Sequence, residues 1–294
     1  MPALCQRLTA AFSSMGRDYE VVFSVDASPD RSFVALKEQA LKDPHFKILL
    51  LRRNMGYDNA IMAGLNYARG KWVVIMDDDL QHSPEDIPSL LAAAEKGNDV
   101  VYAGFPAKRQ SLIKNIGSWF NDATARVIIN KPRSIYLSPF KVVSREVVEE
   151  IIKHKGPFPY IDGLIFQNTS SIAQIPVEHH ERAEGEGNHG LMRSARIWLN
   201  FCTAFSIIPL RASVWFGFFI SAASFLYAAH VLHIKLTRGV TPEGWVTVVL
   251  GISLLGGIQL ISLGILGEYI GRMYMNLNQA PQFVVREAVN CDKE

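Results

Sequence analysis

The chain has 294 residues, a net charge of +2 and a slightly positive mean hydropathy of +0.11, with the apolar excess after residue 200. This length predicts one soluble domain joined to something smaller, and the weak net charge gives no indication of nucleic-acid binding. The three cysteines (Cys5, Cys202 and Cys291) stand far apart without C-x-x-C spacing, which excludes a disulfide framework and a cysteine-based zinc site. We therefore expect the soluble part to face a reducing compartment, and the N-terminal residues lack the apolar core of a signal peptide.

Strands and helices alternate along the first part of the chain. The predicted helices span residues 3–15, 31–42, 58–68 and 84–96, and the predicted strands span 19–25, 47–51, 71–77 and 99–103. Helices over 112–129 and 144–154 and a strand over 135–143 follow. This alternation predicts a mostly parallel sheet that is covered on both faces.

The third predicted strand ends in three consecutive carboxylates, Asp77, Asp78 and Asp79. Because adjacent carboxylates repel each other, a divalent cation is one explanation for such a cluster. Carboxylate oxygens suit Mg²⁺ or Mn²⁺, and an ion of this kind usually also holds substrate phosphates. Ligands of open α/β sheets bind beyond the carboxyl ends of the strands, where these aspartates are expected. The alternative is an acidic surface turn that caps the next helix.

An earlier strand end carries Asp26, and the basic pair Arg52 and Arg53 lies between the two acidic strand ends. A nucleotide diphosphate fits such a site, with one acid for the base or ribose, two for a metal and arginines for phosphate. The chain has neither G-x-x-x-x-G-K-[ST] nor G-x-G-x-x-G. A P-loop NTPase and a dinucleotide oxidoreductase are therefore not supported.

These residues resemble glycosyltransferase family 2, and within it the dolichyl- and polyprenyl-phosphate sugar transferases. The matching segments, in chain order, are residues 22–30, 53–65, 77–85 and 179–185, which are similar to the family's DDGSxD, RNxGxxxAxxxGL, DADLQxxPE and HxRxxG patterns. A C-terminal membrane hairpin, as in the bactoprenyl-phosphate branch, extends the resemblance over nearly the whole chain. The fold that it implies is a Rossmann-like nucleotide-sugar-binding domain of GT-A type, without its first strand, plus a two-helix transmembrane hairpin.

The resemblance also implies roles for individual residues. Asp77 and Asp79 would hold the divalent metal with Gln81 beside them, Asp79 belonging to the catalytic group. Asp26 would contact the nucleotide base, and Arg182 the donor diphosphate. For Arg182 alone, the alternative is a surface basic residue near a membrane.

Three departures from the family pattern stand out. The family opens with a strand of the type VVIPVYNEE, whereas this chain begins at what would be the first helix. We expect either that the given start is too late or that donor binding is damaged. Val25 replaces the first acid of DDGS, and residues 187–189 replace the S-x-x-Y that usually follows RxxG.

An acid that relatives often use as the catalytic base is missing near Ser138 and Pro139. A phosphate monoester has its second pKa near ~6 and is mostly a dianion at neutral pH, so such an acceptor needs a strong base less than a hydroxyl does. Asp162 is the remaining candidate base, and a helix cap is its alternative role. Positive charge for an acceptor phosphate would come from four candidates, Lys108, Arg109, Lys141 and Arg145.

The C-terminal third has the pattern of a membrane anchor. Two uncharged runs, 213–232 and 245–267, are each long enough for one crossing. The expected layout is a cytoplasmic glycosyltransferase domain over 1–190, an interfacial amphipathic segment over 191–211, a transmembrane hairpin over 212–270 and a cytoplasmic tail over 271–294. The alternative is a pair of buried core helices in a soluble protein.

Basic residues are more frequent outside the hairpin than in its loop, which places the catalytic domain on the cytoplasmic side of the inner membrane in a multi-pass protein. Gly251, Gly256, Gly257 and Gly264 would allow close helix contacts, including contacts between subunits of a homo-oligomer.

The resulting hypothesis is an inverting hexosyltransferase that moves a sugar from a UDP- or GDP-linked donor to polyprenyl phosphate at the membrane, with Mg²⁺ or Mn²⁺. One alternative is a transferase to a hydroxyl acceptor in polysaccharide synthesis, although a Q-x-x-R-W motif is absent. The other is a non-catalytic or truncated membrane relative that acts by binding a partner.

Overall fold

The computed structural model describes residues 2–27, 32–104, 126, 131–132, 134–177, 208–238 and 244–291. The helix predicted over 112–129 and the amphipathic segment up to residue 207 lie outside these ranges, apart from Arg126. The described chain divides into two compact units, one of residues 1–191 with 278–294 and one of residues 192–277.

Helices and strands alternate as predicted over the first hundred residues. The helices are α1 (Pro2–Met15), α2 (Ser32–Lys42), α3 (Tyr57–Tyr67), α4 (Ile87–Ala94), α5 (Arg145–Ile151), α6 (Ile161–Asn168), α7 (Ile208–Arg238) and α8 (Trp245–Leu277), and a 3-10 turn (Pro84–Asp86) precedes α4. The strands are β1 (Val21–Val25), β2 (Phe46–Leu51), β3 (Trp72–Ile75), β4 (Val100–Gly104), β5 (Lys141–Ser144), β6 (Ile172–Pro176) and β7 (Val285–Val289).

The strands form two sheets, with the orders β1-β2-β7 and β3-β5-β4-β6. Among the described strands, β1 with β2 and β4 with β6 are parallel pairs, whereas β5 runs antiparallel to both β3 and β4, and β7 runs antiparallel to β2. The described pairs are therefore more mixed than the strand–helix alternation predicts. The reason is that β5 and β7 come later in the chain than the alternating helices and strands, and both run antiparallel to their neighbours.

The predicted strand over 135–143 is shorter in the structure, because β5 begins at Lys141. Pro139 has no N–H to donate to a sheet, which stops strand pairing at this point. Instead, the Ser138 hydroxyl accepts a hydrogen bond from the N–H of Phe140 (3.1 Å), which forms a local turn.

The second sheet is covered on both faces, as the alternation predicts. On one face, α3, α5 and α6 pack on alternate strand residues that include Val100, Tyr102 and Val143. On the other face, α1 and α4 pack on the neighbouring residues Val101 and Val142. This two-residue period buries successive side chains in different clusters and fixes the register of the sheet.

An interruption separates β1 from β3, which belong to different sheets. Within the described residues, β1 pairs with β2 alone and β3 pairs with β5 alone, so one edge of each has no strand partner there. Side chains cross the interruption at the amino end, where the Glu20 carboxylate accepts the N–H groups of Arg69 (2.5 Å) and Gly70 (3.1 Å).

The second unit contains α7 and α8, two helices that are long and apolar enough to cross a membrane, over Leu210–Thr237 and Leu254–Leu277. None of the most apolar stretch of either helix is buried within the protein. Large side chains such as Phe219 (65% exposed) and Leu260 (71% exposed) therefore lack the protein cover that a soluble core helix has.

Candidate active site

The acidic strand end forms a tight turn directly after β3. The N–H of Asp77 donates to Nδ1 of His82 (3.2 Å), and Oδ1 of Asp79 accepts the N–H of Gln81 (3.1 Å). Leu80 has φ 62°, a left-handed conformation that is costly for a side chain of its size. His82 is 3% exposed and stacks on Phe140 with ring centroids 5.3 Å apart, so packing holds the turn in this shape.

The turn concentrates negative charge. Burial raises the pKa of Asp77, and the neighbouring carboxylates of Asp79 and Asp78 raise it further, against the opposing effects of Tyr57 and His82. A divalent cation would relieve this repulsion, and the carboxylates are the hard oxygen donors that Mg²⁺ and Mn²⁺ prefer. The described residues contain no group of three or more potential His, Cys, Asp or Glu ligands. Mg²⁺ is commonly held by one or two carboxylates plus substrate phosphates, so this pair suits a metal that binds together with a diphosphate.

Asp26 fixes the loop between β2 and α3. Its two carboxylate oxygens accept the N–H groups of Met55 (2.6 Å) and Gly56 (3.0 Å). Gly56 has φ 88°, a conformation that a side chain would strain, which explains a glycine at the residue before α3. Each carboxylate oxygen has a second lone pair, so the predicted contact with a nucleotide base is compatible with these bonds.

Tyr57, the first residue of α3, was not singled out by the sequence patterns. Its hydroxyl donates to Oδ1 of Asp77 (3.0 Å). Desolvation and the Asp77 carboxylate both raise the pKa of Tyr57, so the phenol remains a protonated donor. A lone tyrosine after a glycine is too common a pattern to predict this contact.

Asp162 and Lys141, predicted as a base and as a phosphate ligand, form an ion pair with each other. Their side chains are 16% and 3% exposed, and the Tyr102 hydroxyl also donates to Oδ1 of Asp162 (2.8 Å). The Lys141 ammonium lies 5.1 Å from the centroid of the Tyr102 ring. Because α6 begins at Ile161, these contacts connect the start of α6 to the start of β5.

Asp58 is a further acid near this pair that the sequence patterns missed. Its Oδ1 accepts the N–H of Ile161 (3.1 Å), so a residue of α3 caps α6. Burial raises the pKa of Asp58 to about 6, and the negative charge of Asp162 adds to this effect.

Arg145, another predicted phosphate ligand, binds backbone carbonyls. Its Nε donates to Gly70 O (3.0 Å) and its Nη2 to Ala68 O (2.9 Å). These bonds hold the segment that enters β3. The remaining predicted ligands, Lys108, Arg109 and Arg182, lie outside the described residues.

Known proteins resemble the chain over almost its full length. The family model described as Glycosyl transferase family 2 matches residues 2–152. Undecaprenyl-phosphate 4-deoxy-4-formamido-L-arabinose transferase of Edwardsiella ictaluri is 33% identical over 301 residues, covering 99% of this chain and 90% of the relative. The uncharacterized glycosyltransferase YkcC of Bacillus subtilis is 32% identical over 294 residues, covering 98% of this chain and 90% of the relative.

Among solved structures, glucosyl-3-phosphoglycerate synthase from Mycobacterium tuberculosis aligns with a TM-score of 0.45 and 14% identity. The alignment covers 63% of this chain and 68% of the synthase chain.

Proposed function

The chain belongs to glycosyl transferase family 2, and from this membership we propose that it transfers a sugar, with inversion, from a nucleoside diphosphate sugar to polyprenyl phosphate. The observation that carries the acceptor is the 33% identity over 99% of the chain to a transferase whose name specifies undecaprenyl phosphate. That match extends through the region of α7 and α8. The shared sequence is therefore not confined to the nucleotide-binding part.

The donor would bind at the acidic turn. Asp77 and Asp79 would hold Mg²⁺ or Mn²⁺ with Gln81 beside them, and the bound ion would offset charge on the leaving nucleoside diphosphate. The chain's own contribution is to hold two carboxylates in a turn that His82 stabilises despite the left-handed backbone of Leu80. Asp26 would contact the nucleotide base, and Arg182 the diphosphate.

An acceptor phosphate would account for the lack of an acidic residue near Pro139 that could act as a catalytic base. A phosphate oxygen attacks the anomeric carbon, the bond from that carbon to the diphosphate breaks, and the configuration at the carbon inverts. Since the phosphate is mostly a dianion at neutral pH, the protein must supply orientation and positive charge more than a strong base. Lys141 and Arg145 already have protein partners. Lys108 and Arg109 are thus our preferred phosphate ligands.

We further propose that α7 and α8 cross the inner membrane and that the catalytic unit is cytoplasmic. Arg211 and Arg272 lie toward the outer ends of the hairpin, and Lys235 and Arg238 lie toward its loop. Together with the basic residues at 193 and 196, this distribution favours cytoplasmic ends. A lipid phosphate would then lie at the same membrane surface as the catalytic unit.

The test is transfer of labelled sugar from UDP- and GDP-sugars into polyprenyl phosphate by membranes that contain the full chain. We expect metal-dependent formation of a labelled lipid. Asp79→Asn should reduce the rate at least about 100-fold, because it removes a metal ligand. Asp78→Asn is the matched control, since Asp78 is exposed and has no assigned role. Transfer that is independent of metal, or equal losses in both variants, would contradict the proposed site.

A further inference from the structure

The first turn of α3 connects the two acidic strand ends. Asp26, after β1, holds the N–H groups of Met55 and Gly56, and the next residue, Tyr57, reaches Asp77 after β3. The described parts of β1 and β3 do not pair with each other. Backbone pairing therefore does not fix the distance between these strand ends, and the side-chain bridge crosses the interruption.

Other contacts fix the same turn of α3. Asn59 Nδ2 donates to Met55 O (2.9 Å) and Pro157 O (3.3 Å), and the Asp58 carboxylate caps α6. The backbone that carries Tyr57 is thus held from β1, from α6 and from the segment before α6. A rigid support of this kind allows the tyrosine hydroxyl to fix the position of its acceptor.

We propose that Tyr57 is a positioning residue that orients the Asp77 carboxylate for the divalent cation of the donor complex. The inference rests on the proposed function, because it assigns Asp77 to the metal. The phenol donates to Oδ1 and restricts rotation of the carboxylate, while Oδ2 receives no hydrogen bond from Tyr57. Preorganisation of a ligand by an outer hydrogen bond strengthens metal binding without adding a ligand.

Tyr57→Phe tests the role because it removes only the hydroxyl. Tyr57 is 53% exposed, so the variant should fold and melt as the unaltered protein does. Tyr67→Phe is the matched control. Tyr67 is the last residue of the same helix, about 15 Å along its axis from Tyr57.

The measurement is Mn²⁺ binding to the purified full chain in detergent, followed by the electron paramagnetic resonance signal of free Mn²⁺ at saturating UDP or GDP. Nucleotide affinity without metal is measured in parallel. We expect Tyr57→Phe to weaken Mn²⁺ binding about tenfold and to leave metal-free nucleotide affinity unchanged. Tyr67→Phe should change neither. In transfer assays, Tyr57→Phe should raise the Mn²⁺ concentration for half-maximal rate more than it lowers kcat.

Unchanged Mn²⁺ affinity in Tyr57→Phe would overturn the inference. A loss of metal-free nucleotide affinity as large as the loss of Mn²⁺ affinity would also overturn it, because Tyr57 would then be a nucleotide contact. If the unaltered protein transfers sugar but Tyr57→Phe binds Mn²⁺ normally, only this inference fails. If Tyr57→Phe weakens Mn²⁺ binding but no sugar reaches polyprenyl phosphate, the inference stands and the proposed acceptor fails.

Discussion

Asp58 shows how a single partly buried acid links the stability of this protein to pH. Its pKa is raised from 3.8 to about 6 in the folded protein, chiefly by burial. The folded state therefore binds a proton at Asp58 more tightly than the unfolded chain does. The contribution of Asp58 to the free energy of unfolding is therefore largest below pH 4, where the carboxyl is protonated in both states. This contribution falls as the pH rises and is lost above pH 6, where the carboxyl is ionised in both states. The full effect is at most about 3 kcal/mol.

Asp58→Asn should stabilise the protein at neutral and higher pH. The asparagine carbonyl can still accept the N–H of Ile161, whereas the cost of burying a charge disappears. We expect a gain of about 1–2 kcal/mol at pH 8, or a few degrees in Tm, and a smaller gain at pH 5. Thermal unfolding of the full chain in detergent at both pH values measures this difference.

Asp18→Asn is the control, because Asp18 is exposed and should produce no pH-dependent difference. A gain from Asp58→Asn that is equal at pH 5 and pH 8 would show that ionisation of Asp58 is not its cause.

At the scale of elements, the buried pair of Lys141 and Asp162 connects β5 to α6. Removing one partner leaves the other as an uncompensated buried charge. Lys141→Met should therefore lower the free energy of unfolding by about 3–5 kcal/mol. The double variant Lys141→Met with Asp162→Leu should recover most of this loss, because it removes both charges.

The free energies of unfolding of Lys141→Met, Asp162→Leu and the double variant, each compared with that of the unaltered chain, form a double-mutant cycle for this prediction. If the two single losses simply add in the double variant, the pair does not connect the elements energetically. Transfer activity of the double variant separates stability from chemistry. If Asp162 acts only through Lys141 and Tyr102 to hold α6, a stable double variant should keep transferring sugar.

Sequence patterns predict the local elements well and the contacts between distant segments poorly. The acidic turn of Asp77 and Asp79 was predicted because its residues are contiguous and follow an apolar strand. The sequence does not predict the pairing of Lys141 with Asp162, since each residue alone fits a solvent-exposed role. It does not predict the hydrogen bond from Tyr57 to Asp77 either, because a tyrosine at the start of a helix gives no indication of its acceptor.

The mixed strand directions have a similar explanation. β7 is only five residues long and includes two charged residues, Arg286 and Glu287, so the sequence pattern does not predict a strand. Its formation depends on β2, whose residues Leu49 and Leu51 are fully buried. β2 lies more than two hundred positions before β7 in the chain, so no local sequence pattern indicates that the two strands pair.

At the scale of the whole molecule, the hairpin is inserted into the chain of the catalytic unit. The residues after α8 return to that unit, where β7 pairs with β2 and Phe283 and Val285 pack near Leu49 and Leu51. Gln282 also donates to His154 O and Gly156 O, at 2.7 Å each. The C-terminal segment, predicted only as a cytoplasmic tail, thus forms part of the catalytic unit in the structure.

A chain that stops after Leu277 should therefore retain its hairpin but lose stability in the catalytic unit. Loss of β7 exposes Leu49 and Leu51 and removes the pairing along β2, so we expect the free energy of unfolding to fall by at least about 3 kcal/mol. Limited proteolysis of membranes should then cleave the catalytic unit faster, while the protein remains in the membrane fraction. A chain that lacks only residues 292–294 is the control and should resist the protease as the full chain does. Equal resistance of the two shortened chains would mean that β7 adds no stability to the catalytic unit, and that this unit is completed before the chain enters α7.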